Sequence, residues 1–508
     1  MSQVSERAGT QIGGALRREK LAAVPASTAE LGPGAAHDIS ADLCVIGAGS
    51  GGLTVAAAAS QLGLSVILVE KHKMGGDCLN YGCVPSKALL ASAKRAHEMR
   101  TAARFGIAAA EPRIDFNAVH DHVHDVIAAI APNDSVERFT GLGVRVIQAA
   151  GHFATRTVLQ AGDYRINARR FVIAAGSSPA VPPILGLDKV PYFTNETIFD
   201  NRKKIDQLIV IGAGPVGLEL AQAYHRLGSR VTVIEASKAL GAVDPELRSL
   251  VLERLRTEGI TILEGATVEQ VSGDSVSVEL QISQGGQQRT VRGTHLLVAA
   301  GRVPNTTGLN LEAAAIKYDQ AGIKVNRSLK TSNRKVYAIG DIVGGPQFTH
   351  IANYHASIIV RRIVFRLPAR LDATNLTWAI FTDPEVAQSG LTEEQARAQF
   401  SRIQVYRWPY YENDRAQAER ATDGMVKVVT DRKGIIRGAG IVGAQAGDLI
   451  QMWSLAMAQG LAIKDMAQWM SPYPTLSEIN KRAAFGYYAT AAAKPLVRKT
   501  ISWLRKLG

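Results

Sequence analysis

The strongest constraint on the fold is a glycine-rich motif that occurs twice. The first copy reads VIGAGSGGL at residues 45–53, and the second reads VIGAGPVGL at residues 210–218. Each copy follows an apolar strand, opens a helix rich in alanine and leucine, and precedes a second apolar strand that ends in an acid, Glu70 or Glu235. A lone G-x-G-x-x-G is weak evidence, but this full order is typical of a dinucleotide-binding βαβ unit. The sequence therefore predicts an α/β fold with two such units.

The residue types of both motifs suit a bound dinucleotide. The first glycine makes the turn, the second lets the backbone approach the pyrophosphate, and the third lets the helix pack on the strand. Amides at the helix N-terminus face the phosphates, and the terminal acid accepts hydrogen bonds from a ribose hydroxyl. The motif glycines are Gly47, Gly49 and Gly52 in the first copy and Gly212, Gly214 and Gly217 in the second.

Length and composition indicate a multidomain globular protein. The chain has 508 residues, of which 46% are hydrophobic and 20% charged, as in ordinary globular proteins. Apolar runs stay below the roughly 18 residues that suggest a membrane span, and the N-terminus lacks the apolar core of a signal peptide. We expect residues 1–39 to be a disordered lead-in, with a transit peptide as the alternative, and the protein to be cytoplasmic.

The net charge of +13 favours anionic partners. We find no nucleic-acid module and no basic stripe interleaved with aromatic residues, so nucleic acid is not expected as a partner. In residues 491–508, apolar and basic side chains recur at roughly helical spacing. This tail predicts weak peripheral contact with anionic membranes, and a helix docked on its own subunit is an equal alternative.

Cys78 and Cys83 follow the first βαβ unit directly, within the segments GGDC at 75–78 and GCVPSK at 82–87. The third cysteine, Cys44, lies in an apolar run, where a thiol packs as a small hydrophobe. Three cysteines in 508 residues do not form the disulfide framework of a secreted protein. A cysteine pair beside a dinucleotide unit therefore favours a catalytic redox centre over a structural disulfide.

With this pair, the chain resembles the class I pyridine nucleotide-disulfide oxidoreductases, which include glutathione reductase, dihydrolipoamide dehydrogenase and mercuric reductase. The segments FVIAAGSSP at 171–179, LLVAAGRVPN at 296–305 and VYAIGD at 336–341 extend the resemblance in family order, over about residues 40–490. The resemblance implies two Rossmann-like domains, for FAD and for NAD, and a C-terminal α+β domain that forms homodimers with shared active sites. The implied boundaries are 40–192 and 301–371 for the FAD domain, 193–300 for the NAD(P) domain and 372–490 for the interface domain.

The resemblance also implies roles for particular residues. Cys83 matches the charge-transfer thiolate near the flavin, and Cys78 matches the exchange cysteine that meets the acceptor. Lys87 matches the lysine beside the flavin N5, Glu219 matches its partner by the nicotinamide, and Asp341 matches the residue that bonds the ribityl chain. The residues expected around the two cofactors are Gly47, Gly49, Gly52, Glu70, Lys87, Gly151, Ala175, Gly176, Gly212, Gly214, Gly217, Glu219, Glu235, Gly301, Gly340 and Asp341.

The acid of the second unit favours NADH over NADPH. Glu235 would bond a free 2′-hydroxyl and repel a 2′-phosphate. The next residues are Ala236, Ser237 and Lys238, without the arginine expected of an NADPH site. NADPH stays open as the alternative, because of the single lysine.

One position separates the chain from two of the enzyme classes that it resembles. Dihydrolipoamide dehydrogenase and glutathione reductase carry a histidine five residues before a glutamate near the C-terminus. Here Glu478 is kept, but the histidine is Tyr473, whose pKa near 10 makes it a neutral donor at pH 7. Mercuric reductase resembles this chain in both this tyrosine and Tyr192. The pattern predicts a substrate metal ion at Cys78, Cys83, Tyr192 and Tyr473, and no structural metal.

The leading hypothesis is an NADH-linked reductase of the mercuric-reductase type that acts on a metal ion or an unknown small oxidant. Mercury itself is in question, since the sequence shows no C-terminal vicinal cysteines and no N-terminal metal-binding domain with paired cysteines. A dihydrolipoamide dehydrogenase with an altered acid–base site is the first alternative. A flavin redox sensor with slow turnover is the second, and the retained Cys78, Cys83, Lys87 and Glu219 argue against it.

Overall fold

The computed structural model describes residues 37–372, 374–492 and 495–507. Up to Pro179 the elements are β1 His37–Ile46, α1 Ser50–Gln61, β2 Val66–Glu70, α2 Gly76–Asn80, α3 Cys83–Thr101, α4 Phe116–Ile130, α5 Val136–Gly141, β3 Val144–Gln148, β4 Gly151–Thr155, β5 Val158–Ala161, β6 Tyr164–Ile173 and β7 Ser177–Pro179. The next group is β8 Gln207–Ile211, α6 Pro215–Arg226, β9 Arg230–Glu235, α7 Pro245–Glu258, β10 Thr261–Glu264, β11 Ala266–Gly273, β12 Val278–Gln284, β13 Gln287–Gly293 and β14 His295–Val298.

The third group of elements completes the chain. It consists of β15 Arg302–Pro304, β16 Tyr318–Asp319, β17 Gly322–Ile323, β18 Val336–Ala338, α8 Thr349–Ile363, β19 Thr377–Ile380, β20 Glu385–Gly390, α9 Glu393–Gln399, β21 Ile403–Pro409, α10 Asp414–Ala418, β22 Met425–Asp431, β23 Ile436–Gly443, α11 Ala446–Ala458, α12 Glu478–Ala492 and α13 Pro495–Leu504. Short 3₁₀ turns lie at Ala102–Phe105, Ala131–Asp134, Leu187–Lys189, Ile198–Asp200, Gly340–Val343, Tyr410–Glu412 and Asp465–Ala467.

The two glycine motifs open two sheets with the same strand order. In the first sheet, β3, β2, β1 and β6 run parallel in that spatial order. In the second, β10, β9, β8 and β14 do the same. Counting only the parallel strands, each unit thus places its third, second, first and fourth strands side by side, as a Rossmann-like half does. The predicted α/β class with two dinucleotide-binding units is confirmed.

The first unit is discontinuous in sequence. β18 pairs with the C-terminal half of β6, and β15 pairs with β7, so the chain returns to the first unit after β14. The predicted lead-in ends too late, because His37–Ile39 already pair with Tyr164–Ile166 in the parallel ladder of β1 and β6. Residues 1–36 of that prediction lie outside the described residues.

The segment just before the predicted boundary at residue 192 contacts the second unit. Leu187 and Val190 are buried in the apolar core of the second unit, and the amide of Val271 donates to the carbonyl of Leu185 at 2.8 Å. The chain therefore contacts the second unit from about residue 184 onward, just after the proline-rich segment at 179–183.

The last unit is a five-stranded antiparallel sheet in the order β19, β20, β23, β22, β21. Helices α11 and α12 pack together through the fully buried Trp453, whose indole donates to Asn480 at 2.8 Å. A buried lysine, Lys427, holds this sheet to the second unit by ion pairs of 2.9 Å to Asp244 and Glu246.

The C-terminal tail forms helix α13, and it leaves Leu496 and Trp503 well exposed. Its contact with membranes stays a prediction. Among the described residues, no helix has both the length and the apolar character needed to cross a bilayer.

Candidate active site

One large cleft lies between the three units. Its volume is about 1890 Å³, roughly twice the upper end of about 1,000 Å³ for a single small-ligand pocket. The wall includes both glycine motifs, both redox cysteines and the Lys87–Glu219 pair. The cleft lies at the carboxyl ends of the parallel strands, where open α/β sheets bind ligands. It has room for two dinucleotides.

The glycine motifs fit the cofactors that the sequence implies. A Cβ atom on Gly52 would lie 1.9 Å from the carbonyl oxygen of Gly47, and one on Gly217 would lie 2.0 Å from that of Gly212. The third glycine of each motif is therefore required for the helix to approach the strand. The second glycines, Gly49 and Gly214, instead face open space, which leaves the backbone free to contact a pyrophosphate.

The two acids occupy equivalent places. Glu70 accepts hydrogen bonds from the amides of Ala48 at 2.6 Å and His72 at 2.7 Å. Glu235 accepts from the amide of Ala213 at 2.9 Å and from the amide and hydroxyl of Ser237, both at 2.9 Å. Both carboxylates line the cleft. They can therefore receive the ribose hydroxyls of two dinucleotides.

Other predicted cofactor residues come together in the same cleft. Gly151, Ala175, Gly176, Gly301, Gly340 and Asp341 all line it. Burial raises the pKa of Asp341, and Ser177 donates to its carboxylate at 2.7 Å. His355 accepts from the amide of Gly340 at 3.1 Å, and burial lowers the pKa of this imidazole to about 4. A neutral histidine thus supports the turn that carries Asp341.

The redox cysteines lie on two successive helices. Cys78 is in α2, and Cys83 is the first residue of α3, where the helix dipole favours a thiolate. A hydrogen bond from the Cys78 thiol lowers the pKa of Cys83 to about 6. The same interaction raises the pKa of Cys78. The reduced pair therefore holds one proton on Cys78 and an anion on Cys83 at neutral pH.

We expect the reduced protein to show a thiolate titration near pH 6. The ultraviolet absorbance of the thiolate should rise with pH through about 6, because Cys83 loses its proton there. The signal is the absorbance of the wild-type protein minus that of the Cys83→Ser variant at the same pH. In Cys78→Ala the hydrogen-bond donor is gone, so the transition should move up toward the ordinary thiol value near 8.5. A wild-type transition at or above that value would contradict the assignment.

Lys87 lies one helical turn after Cys83 on α3, and its side chain contacts two other parts of the fold. Its ammonium lies 2.8 Å from Glu219 Oε2 and 4.5 Å from the centre of the Phe381 ring. The other oxygen of Glu219 accepts from the amide of Phe381 at 3.0 Å. This contact fixes α3 against α6 and against the last unit, and places the Lys87 charge in the cleft.

Arg302, to which the sequence motifs assign no role, connects several residues that line the cleft beside Cys78. Arg302 pairs with Asp77, next to Cys78, at 3.0 Å and donates to the Ser177 hydroxyl at 2.7 Å. Asn195 donates to Asp77 at 3.2 Å. The motif GRVPN contains Arg302, but its partners are distant in sequence, so spacing alone gave no signal of this network.

The tyrosines do not join the cysteines within one chain. Tyr473 is 69% exposed, and its hydroxyl donates to Asp414 at 2.9 Å. Glu478 pairs with Arg482 at 2.8 Å. Neither lines the cleft. Any contact of these two residues with the cysteines of a partner subunit stays a prediction.

The place of Tyr192 in a substrate metal cluster stays a prediction. The amide of Phe193 donates to the carbonyl of Leu296 at 2.8 Å, so this segment runs beside the second sheet. Tyr192 consequently packs against the apolar core of the second unit and does not line the cleft.

Comparisons with known proteins agree with this architecture. The sequence model of the family "Pyridine nucleotide-disulphide oxidoreductase" matches residues 41–356, and that of its dimerisation domain matches residues 376–484. A mercuric reductase from Lysinibacillus sphaericus is 33% identical over 449 residues, covering 88% of this chain and 82% of that protein. A dihydrolipoyl dehydrogenase from Thermus scotoductus is 35% identical over 456 residues, covering 86% and 95%.

A solved structure shows the same fold. It is described as a Cu(II) complex of the HOCl-induced flavoprotein disulfide reductase RclA from Escherichia coli, with a TM-score of 0.78 and 26% identity, and the match covers 87% of this chain and 98% of that one. Together, these matches and the site geometry show that the chain belongs to the pyridine nucleotide-disulphide oxidoreductases, enzymes that use FAD and NAD(P)H, and that it carries the family's dimerisation domain.

Proposed function

We propose that this enzyme takes electrons from NADH and passes them through Cys78 and Cys83 to a thiophilic metal ion or another small oxidant. The observation that carries the proposal is the combination of a low-pKa thiol, Cys83, with a tyrosine at position 473 where other relatives keep a histidine. Soft thiolates bind soft metal ions. Mercuric reductases among the relatives, and the Cu(II) complex of the structural neighbour, support this acceptor class.

Different residues of the cleft have different roles in the proposed reaction. Bound FAD would supply the transfer of two electrons between the nicotinamide and the cysteine pair. The glycine motifs and their acids would hold the two dinucleotides, while Lys87 and Glu219 place a paired charge in the cleft. Oxidation of the Cys78 thiol and the Cys83 thiolate to a disulfide releases two electrons and one proton, which passes to solvent. The electrons reduce one Hg(II) ion by two electrons or two Cu(II) ions by one electron each.

Tyr473 argues against dihydrolipoamide as the main substrate. Its hydrogen bond to Asp414 raises the pKa of the phenol, so the hydroxyl stays protonated at neutral pH and cannot accept a proton as a histidine does. Loss of a positioned acid–base group typically costs about 10²–10⁴-fold in rate. A dihydrolipoamide dehydrogenase with slow proton transfer is the second candidate, favoured by the retained Glu478 and by the 35% identical relative.

The same residues support the proposal of active sites shared between two subunits. Tyr473 and Glu478 lie on the unit that matches the dimerisation domain, and Tyr473 is largely exposed in the single chain. We propose a homodimer in which these residues approach the cysteines of the partner subunit. The domain limits proposed from the fold are about 37–180 and 301–371 for FAD, 181–300 for NADH and 372–490 for the interface.

The test is NADH oxidation by the FAD-loaded enzyme with Hg(II), Cu(II), a quinone and lipoamide as separate acceptors. We expect turnover with a metal ion to exceed turnover with lipoamide. Faster lipoamide turnover would favour the second candidate. Slow NADH oxidation with every acceptor would favour a redox sensor over a reductase.

The proposed preference for NADH over NADPH depends on the residues that line the cleft around Glu235. The neighbouring residues in the cleft are Ala236, Ala266, Thr267 and Val268, none of which carries a positive charge. We expect Glu235→Arg to shift the ratio of kcat/KM values toward NADPH, since it replaces ribose bonding with attraction to a 2′-phosphate. Glu70→Arg is the matched control, because it alters the equivalent acid of the first motif. A wild-type enzyme that already prefers NADPH would contradict the proposal.

A further inference from the structure

Two histidines and an aspartate form a cluster outside the active-site cleft. His120 and His124 are one turn apart on α4, and Asp200 ends the 3₁₀ turn Ile198–Asp200. One ligand atom from each, an imidazole nitrogen or a carboxylate oxygen, lies within 4.8 Å of the other two. None of the three lines the cleft that contains the redox cysteines. The cluster is therefore separate from the site described above.

The imidazoles are oriented by contacts of their own. His120 Nδ1 lies 3.0 Å from Asp121 Oδ1, and Arg202 donates to the same carboxylate oxygen at 3.0 Å. This arrangement leaves Nε2 of His120 free to act as a ligand. A carboxylate behind one ring nitrogen is the usual companion of a histidine that binds a metal through the other.

The remaining two groups complete a half-open site. His124 Nε2 lies 3.3 Å from the carbonyl oxygen of Phe199 and 3.6 Å from Asp200 Oδ1, and the two imidazole rings are 4.0 Å apart at their centres. The side chain of His120 is only 9% exposed, that of His124 is 38% exposed and that of Asp200 is 72% exposed. An ion could therefore enter from solvent on the Asp200 side and keep water as a further ligand.

We propose that His120, His124 and Asp200 bind a divalent transition-metal ion of the zinc class. Two imidazoles and a carboxylate form a donor set that Zn²⁺ binds well, with water in the fourth position. Mg²⁺ and Ca²⁺ prefer sites built mainly from oxygen donors. The ion is neither a substrate nor part of electron transfer.

The site connects α4 to the segment that approaches the redox cysteines. Asn195, five residues before Asp200, donates to the side chain of Asp77 at 3.2 Å and to the carbonyl of Tyr81 at 3.0 Å. Both acceptors belong to the loop around Cys78. A bound ion would hold residues 195–200 on α4 and would stabilise the folded state by binding it preferentially.

The experiment measures Zn²⁺ binding by equilibrium dialysis on FAD-loaded Cys78→Ser/Cys83→Ser protein, so that the redox thiolates cannot bind the ion. We expect one Zn²⁺ per chain. His124→Ala and Asp200→Asn in this background should each lower the affinity for Zn²⁺ by at least about tenfold. Even the residues that only hydrogen-bond to a metal ligand typically cost about tenfold or more in metal affinity when they are replaced. His122→Ala is the matched control: it removes an exposed imidazole of the same helix that lies outside the cluster, and it should leave the affinity unchanged.

A second readout is the melting temperature. Zn²⁺ should raise it in the parent protein and in His122→Ala, and much less in His124→Ala or Asp200→Asn. Absence of Zn²⁺ binding in the parent would overturn the proposal. Equal binding by His124→Ala, or an equal loss in His122→Ala, would overturn it as well. Because the background lacks both redox cysteines, none of these outcomes depends on the acceptor of the enzyme.

Discussion

Replacing Cys78 with serine is expected to abolish acceptor reduction, with a loss of at least about 10³-fold, since removal of a covalently acting residue typically costs several orders of magnitude. The serine hydroxyl cannot form the disulfide with Cys83 through which the electrons leave. The glycine motifs and Glu70 are untouched, so FAD binding should be retained. The measurement is steady-state NADH oxidation with the best acceptor, together with the flavin content of the purified variant.

Cys44→Ala is the matched control for this experiment. Cys44 is fully buried in β1, and burial raises the pKa of its thiol, so it takes no part in redox chemistry. We expect this variant to keep its activity per bound flavin, even if it is somewhat less stable. If Cys78→Ser retained more than a tenth of the wild-type rate, electrons would be leaving the flavin directly.

Replacing Tyr473 with histidine is expected to raise dihydrolipoamide oxidation by about 10²-fold or more, the usual contribution of a positioned acid–base group. An imidazole has a pKa near 6.5 and exchanges protons at neutral pH, whereas the phenol does not. We expect Glu478 to orient it once its pairing with Arg482 adjusts. The measurement is the kcat for dihydrolipoamide with NAD⁺ as the oxidant.

The control for this variant is Tyr473→Phe, which removes the hydroxyl and its hydrogen bond to Asp414 but adds no base. It should not gain dihydrolipoamide activity. Tyr473→His combined with Glu478→Gln should lose most of the gain, because the carboxylate partner is then neutral. If Tyr473→His gains nothing while Cys78 stays reactive toward thiol reagents, substrate binding is what limits this reaction.

The parts of the fold that depend on local patterns could be predicted from the sequence. The glycine motifs specify strand, turn and helix within about twenty-five residues, and both units adopt the predicted order. The Lys87–Glu219 pair was predicted only through family resemblance, and the structure shows the two side chains in contact at 2.8 Å. Their 132-residue separation hides this contact from any local pattern.

Other features depend on contacts that a single sequence does not encode locally. Arg302 is joined to Asp77 only when β15 pairs with β7. Tyr192 fits a family motif, yet its side chain packs against the apolar core of the second unit, a contact that the motif does not encode. The spacing of His120 and His124 is visible in the sequence, but the position of Asp200 beside them requires the fold.

The buried Lys427 has a consequence for how the enzyme moves. It contacts three carboxylates, those of Asp244, Glu246 and Glu393, each at 2.9 Å, and loss of one partner of such a buried cluster is strongly destabilising. The second unit is therefore anchored to the five-stranded sheet of the last unit. We expect the cleft to stay open, so that NADH enters and leaves by diffusion without a hinge motion between the second unit and the last unit. Subunit dissociation and weakened nicotinamide binding should then occur together.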